Sequence, residues 1–244
     1  SSSPPLGVLS LAAMVRKYGY PVKVVDAHAD GLKLDGILKL IDEFQPDVVG
    51  LTAMTVMIDA SAQIAQAIKE HHPSITTIIG GVHVTAEPTK TLEVYQPAFD
   101  YAVVGEGEVV FVDFLEHLRT GKSITEVQSL VWKDTQYHIN PRRAFFKGLD
   151  EFPPPAFDLV PNLFNHYRLS VFGSKQFKSV GLVTSRGCTG KCTFAVDGST
   201  LVLMKDLIWK RVDEVSVGEV IIGFDEHVTK GTYRRYRESH VQSI

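Results

Sequence analysis

The feature that most constrains this chain is the alternation of short, nearly unbroken apolar runs with helix-length amphipathic stretches over its first 120 residues. Pro21–Asp26 (PVKVVD), Asp47–Thr52 (DVVGLT), Thr76–Gly80 (TTIIG) and Asp100–Val104 (DYAVV) read as strands. Between and around them, Leu6–Tyr18, Leu34–Phe44, Ala60–His71, Thr89–Tyr95 and Val109–Arg119 carry apolar residues at helical spacing. Strands that are apolar on both faces, separated by helices, predict a parallel sheet covered on both sides, with right-handed crossovers. Such sheets open with a strand, whereas this chain opens with a helix after Pro4 and Pro5. The expectation is therefore a Rossmann- or flavodoxin-like sheet that lacks its first, central strand.

In open α/β sheets, ligands sit beyond the carboxyl ends of the strands. The segments expected there are Asp26-Ala27-His28, Thr52-Ala53-Met54-Thr55, Gly80-Gly81-Val82-His83-Val84-Thr85 and Gly105-Glu106-Gly107-Glu108. Paired glycines let backbone approach a bulky ligand, although a lone Gly-Gly is also what any tight turn requires. Asp26-Ala27-His28-Ala29-Asp30-Gly31 fits the pattern D-x-H-x-x-G, but follows the second expected strand after an intact helix.

The ordered series "PPLG…LAA", "PDVVGLTAMT", "IIGGVHVTA" and "DYAVVGEGE" resembles the cobalamin-binding domain that precedes the barrel in many radical S-adenosylmethionine (radical SAM) enzymes. The resemblance covers roughly residues 4–120. It implies that Thr52, Ala53, Met54, Thr55, Gly80, Gly81, His83, Thr85, Gly105, Glu106, Gly107 and Glu108 face the corrinoid and its nucleotide tail. In cobalamin proteins that supply a histidine to cobalt, D-x-H-x-x-G follows the first strand. Here its register is wrong, and His28 reads as an ordinary loop histidine.

Residues 121–178 read as a small hairpin, Gln128–Lys133 with Gln136–Ile139, and a linker that includes the proline-rich "LDEFPPPAFDL" of residues 149–159, a spacer of polyproline stiffness. Ser179–Thr184 is a further expected strand, leading into Cys188 and Cys192 within 179–194. Two thiolates separated by three residues after a strand suit soft iron, although two unrelated cysteines would look the same. A third cysteine at position 195 would complete C-x3-C-x2-C, the radical SAM signature. The resemblance then implies a 4Fe-4S cluster with one iron open to S-adenosylmethionine, and reductive cleavage to the 5'-deoxyadenosyl radical.

Position 195 is alanine, and the sequence changes character there. Ala195–Met204 and Val212–Asp225, with turns at Asp197-Gly198 and Gly218-Glu219, predict an all-β segment over residues 195–244. Over about 195–226 it resembles the N-terminal block of an intein (Hint) domain. That resemblance implies a splice junction between Phe194 and Ala195, with the usual cysteine nucleophile absent. A cysteine opening the downstream extein would restore the iron motif. No Thr-x-x-His block or terminal His-Asn precedes Ile244, so this fragment is expected not to splice by itself, and a complementary C-terminal intein fragment is an expected partner. His227 and His240 have no such motif around them and read as surface residues.

The formal net charge of -3 gives no electrostatic reason to expect nucleic acid or an anionic membrane. Arg234, Arg235 and Arg237 alternate with tyrosines and read as a solvated strand face. No apolar run approaches the roughly 18 residues of a membrane span, and no secretory signal is present. Two cysteines four positions apart make no disulfide framework, so a cytoplasmic location is expected. Three functions remain open: part of a cobalamin-dependent radical SAM enzyme acting on an unknown substrate, methyl transfer being one reaction type; a corrinoid-binding module without catalysis; or a generic nucleotide- or flavin-binding domain.

Overall fold

Helix α1, Leu6–Lys17, starts directly after Pro4 and Pro5, with the Leu9 amide donating to the Pro5 carbonyl (3.0 Å). It ends at Gly19, whose φ of +83° suits a residue without a side chain, after Arg16 and Lys17 in the last turn. The computed structural model describes residues 4–144, 148–160, 167, 183, 186, 200–224 and 236–241. The chain divides into two units, Ser1–Gly187 and Cys188–Ile244.

The first unit is built on a five-stranded mixed sheet in the order β1-β2-β3-β4-β5. Strands β1 (Val48–Thr52), β2 (Thr76–Gly80) and β3 (Tyr101–Val103) are parallel, with Thr52 opposite Gly80 and Ile79 opposite Ala102. Successive residues go to opposite faces. Ile79, Ala102 and Val131 join Ile58, Ala62, Ala65, Val84, Leu92 and Phe99 in one core cluster. Ile78, Val103 and Leu130 join Val110, Phe114 and Val127 in the other. The first cluster draws on α3 (Ile58–His71), α4 (Val82–Ala86) and α5 (Pro88–Val94); the second draws on α6 (Glu108–Thr120). Helices on both faces are why the strands lack a polar side. Each large side chain buried this way contributes about 1.5–3 kcal/mol.

Four local expectations need correction. Pro21–Asp26 is not a strand: it pairs with no neighbour among the described residues, and β1 ends the sheet order on that side. Val22 and Val24 instead pack beside Leu9, Ala12 and Ala13 of α1. Helix α2 (Leu34–Phe44) follows, with the expected bounds.

The hairpin β4 (Leu130–Lys133) and β5 (Tyr137–Ile139) is no free connector; β4 adds antiparallel to β3, with Val103 opposite Leu130. Buried Leu130 and Val131 require that cover. Asn140 locks it, donating to the Ile124 (2.7 Å) and Val127 (2.8 Å) carbonyls and accepting from the Trp132 indole (3.0 Å).

The proline-rich segment is docked and not merely a spacer. Ala156 is buried against α1, its amide donating to the Leu9 carbonyl (3.1 Å), and Asp158 pairs with Arg16 (2.5 Å). Lastly, Gly80–Thr85 is not all loop, because Val82–Ala86 closes into the short helix α4. The expected strand 179–184 lies outside the described residues except Val183.

In the second unit the described residues are antiparallel. Strand β6 (Leu201–Leu203) pairs with β7 (Trp209–Arg211), and β8 (Val220–Phe224) with β9 (Tyr236–His240). A Met204–Ile221 bridge joins the two ladders. Gly218, at φ +94°, makes the expected turn, whereas Val212–Glu214 is a single 3-10 turn and not strand. His240 is exposed; His227, Arg234, Arg235 and the Asp197-Gly198 turn lie outside the described residues. Among the described residues, no helix is long and apolar enough to cross a membrane.

Candidate functional site

The carboxyl ends of β1, β2 and β3 meet at one edge of the first sheet and are tied together residue by residue. The Ala53 amide donates to the Gly80 carbonyl (3.1 Å), and the Ala53 carbonyl accepts from the His83 amide (3.3 Å). His83 Nδ1 lies 3.2 Å from the Thr55 hydroxyl oxygen. Thr85 bridges the remaining two loops: its hydroxyl donates to the Gly81 carbonyl (3.0 Å) and accepts from the Gly105 amide (3.0 Å).

Gly81 is the hinge of this arrangement. Its φ is +106°, and a Cβ there would stand 2.6 Å from the Ala53 carbonyl oxygen and 2.9 Å from Thr52 Oγ1. No side chain fits without moving backbone. The Gly80-Gly81 pair therefore allows β2 to turn against the end of β1.

Beyond these ties, apolar side chains stand in solvent. Val56 is 88% exposed, Val82 66%, and Met54 54%, with Met57 beside them. Polar caps such as Thr55 and Thr85 alternate with this lip, which is an unusual grouping for a loop that serves only to turn the chain. On the other side of the strand ends, a cavity of about 520 Å³ opens between α1 and the sheet. Gly7 and Leu11 line it from the helix, Gly50 and Thr52 from β1, and Gly105 and Glu108 from the loop after β3. That volume lies within the roughly 300–1,000 Å³ of small-molecule sites.

The structure thus brings Thr52, Ala53, Thr55, Gly80, Gly81, His83, Thr85 and Gly105 into one hydrogen-bonded or contacting set. Met54 is exposed, next to that set in the chain, and Glu106 and Gly107 line the adjoining cavity. Glu108 is the first residue of α6 and is buried, with its carboxylate 2.7 Å from Arg186 Nη1. Phe194, Ala195, Cys188 and Cys192 lie outside the described residues.

His28 is exposed, and its motif partner is engaged elsewhere. Asp26 accepts from the Ala29 amide (3.0 Å) and from the buried Tyr167 hydroxyl (2.6 Å). Burial, then the Asp26 bond, pushes the Tyr167 phenol well above its ordinary value. The carboxylate therefore serves a turn and a buried tyrosine.

Sequence reasoning missed the cavity wall from α1 and the apolar lip. The run Met54-Thr55-Val56-Met57, apolar where a loop was expected, was the available signal for the lip. Nothing local in Leu6–Leu11 distinguishes a cavity wall from an ordinary core face.

Residues 1–115 match the family model described as the B12 binding domain. An uncharacterized methyltransferase of Pyrococcus horikoshii is 32% identical over 200 residues, covering 80% of this chain and 40% of that protein. Cytidylyl-2-hydroxyethylphosphonate methyltransferase of Streptomyces wedmorensis is 30% identical over 239 residues, covering 78% of this chain and 43% of that protein. The chain spans less than half the length of these curated relatives. Among solved structures, the cobalamin-dependent S-adenosylmethionine radical enzyme OxsB with aqua-cobalamin bound has the same fold over 65% of this chain and 22% of its own, at a TM-score of 0.58 and 23% identity. Residues 1–115 thus match a B12 binding domain, in a chain similar to methyltransferases and folded in part like a cobalamin-dependent radical SAM enzyme.

Proposed function

We propose that the first unit binds a corrinoid at the carboxyl end of its sheet, as part of a cobalamin-dependent radical SAM enzyme whose reaction type is methyl transfer. The observation that carries this reading is the apolar lip of Met54, Val56, Met57 and Val82 beside three loops cross-tied through Thr85, Ala53 and His83. A corrin has broad apolar faces, a rim of amides and a long nucleotide tail. The lip suits the faces, the hydroxyls of Thr52, Thr55 and Thr85 suit the rim, and the space beside Gly50, Gly80 and Gly105 suits the tail. When bound, the cobalamin supplies a carrier for a methyl group or for electrons. The chain's own part is to hold the loops rigid and exclude water from the apolar lip.

Cys188 and Cys192, together with a third cysteine, would hold a 4Fe-4S cluster, which would supply the electron for cleaving S-adenosylmethionine. The third cysteine belongs downstream of an intein that begins at Ala195. The antiparallel hairpins of the second unit support this, since a radical SAM barrel would alternate strand with helix. A complementary C-terminal intein fragment is the partner where the intein is split, and the location is cytoplasmic. Gene sequence past Ile244 should encode His-Asn followed by Cys and then a β/α barrel; a barrel continuing without such a junction overturns the intein reading.

Hydroxocobalamin titrated into the full chain tests the main proposal. Corrinoid absorbance bands should co-elute with the protein on gel filtration and weaken when Val56 or Val82 becomes Asp. Retention of flavin mononucleotide without retention of the corrinoid would replace this reading with a flavin-binding one.

A further inference from the structure

The chain has four methionines, and the fold sorts them into two pairs. Met14, on α1, is 4% exposed and Met204 is 7% exposed, whereas Met54 and Met57 are 54% and 44% exposed. The exposed pair is held in one place. The Met57 amide donates to the Met54 carbonyl (2.8 Å), closing the single 3-10 turn Thr55–Met57. Such a turn brings side chains three positions apart onto the same side, so both thioethers share one face of the lip. The flanks of the turn are fixed. Ala53 is buried and its amide donates to the Gly80 carbonyl (3.1 Å), while Ile58 is buried at the start of α3.

Sulfur chemistry gives this pair two consequences. A thioether is flexible and polarizable, so it moulds to a broad apolar ligand face better than a branched side chain does. It is also what an oxidant attacks, since Val56 and Val82 beside it offer no lone pair. With hydrogen peroxide, a sulfur lone pair takes one peroxide oxygen. The S–O bond forms as the O–O bond breaks, and the departing hydroxide takes the remaining proton and leaves as water. Sulfur loses two electrons and the peroxide gains them. The product sulfoxide is polar. Pressed against an apolar surface, its oxygen loses water without gaining a donor.

We propose that Met54 and Met57 form a peroxide-sensitive modification site, and that their sulfoxides switch off ligand binding at the lip. The switch rests on the corrinoid reading above; the modification site does not. No conformational change is required, because the lip loses its apolar character where it stands.

The test caps the thiols of the full chain with N-ethylmaleimide, exposes it to hydrogen peroxide, quenches with catalase and maps added oxygen by peptide mass spectrometry. Met54 and Met57 should each gain one oxygen about tenfold faster than Met14 and Met204. The oxidised chain should then retain hydroxocobalamin about tenfold more weakly on gel filtration, with its far-UV circular dichroism unchanged. Methionine sulfoxide reductase should restore retention. In the double variant Met54→Leu with Met57→Leu, retention, whatever its starting level, should be the same before and after peroxide. A loss that persists there places the damage elsewhere and overturns the switch; should the double variant not fold, the reductase arm decides in its place. Equal oxidation rates at all four methionines overturn the site, and full retention by the oxidised chain overturns the switch. If the untreated chain retains no corrinoid, the corrinoid reading and the switch fall together, while the oxygen map still decides the site.

Discussion

The two units are built to different standards of closure. In the first, Leu9, Ile68, Ile79, Val110, Phe114 and Leu130 are sealed between helices and a sheet covered on both faces. In the second, Met204 and Val215 are the buried apolar residues among those described, while Trp209 is 61% exposed and Leu201, Leu207, Ile208 and Val217 stand in solvent beside it. Among the described residues of this unit, two short ladders are joined by one bridge, and they bury little apolar surface. The contrast teaches that a layered α/β unit can spend exposed apolar surface on a ligand, as at Val56 and Val82, because its stability comes from elsewhere.

The strongest test of that contrast is a cavity on each side. Phe114→Ala should destabilise the first unit by about 3–5 kcal/mol in urea unfolding, as a fully buried aromatic does. Met204→Ala should leave the first unit's transition in place, since Met204 bridges to Ile221 within the second unit. A matching loss of both transitions after either substitution would merge the units into one cooperative body.

Gly81→Ala should come next. The positive φ and the close Ala53 carbonyl together cost about 1–3 kcal/mol, and the displaced loop should weaken hydroxocobalamin retention about tenfold. Gly105→Ala is the control: its φ is also positive at +83°, but no atom lies within 4 Å of the added carbon, so it should cost less. Equal effects at the two glycines would show that backbone strain alone, without the contact to β1, accounts for them.

Thr85→Val keeps the shape and removes both ties, to Gly81 and Gly105. About 1–2 kcal/mol is expected in thermal unfolding, with a weakening of corrinoid binding smaller than that of Gly81→Ala.

The smallest effects are the acid responses. The Gln136 backbone amide, then His138, holds the Asp134 carboxyl down at about 2. Its ordinary unfolded value is about 4, so its stabilisation is present above pH ~4 and lost as pH falls toward 2. Lys210, then the Ser216 amide, likewise lowers Glu219 in the second unit, with the same sign. Asp134→Asn should flatten the acid limb of the first unit and Glu219→Gln that of the second, each without touching the other. Circular dichroism against pH measures both, and an unchanged acid limb would remove these turns from the acid response.

Much of the sheet unit was legible because its signals are local and periodic. Helix α2 has the bounds its spacing predicts, and β2 spans the whole of TTIIG. The failures share a physical cause. Pro21–Asp26 has the composition of a strand, but a strand exists only through a hydrogen-bonded neighbour, and composition does not supply one. The proline-rich segment reads as a spacer by stiffness, yet Ala156 is buried because α1 offers a small-residue face at Ala12 and Ala13. At the site, Gly80-Gly81 and the threonines could be picked out from type and order, whereas the cavity wall of Gly7 and Leu11 could not.

The sequence alone settled the alternation of strand and helix, the end of the sheet where polar and glycine-rich turns collect, and the shift to β pairing past residue 200. These are written in residue type and period, which act over a few positions at a time. Tertiary structure alone decided which strand became an edge, that β4 and β5 extend the sheet, and that Arg186 meets Glu108 across 78 positions of chain. Those outcomes depend on which distant surfaces can be buried together, and burial is a property of the packed whole.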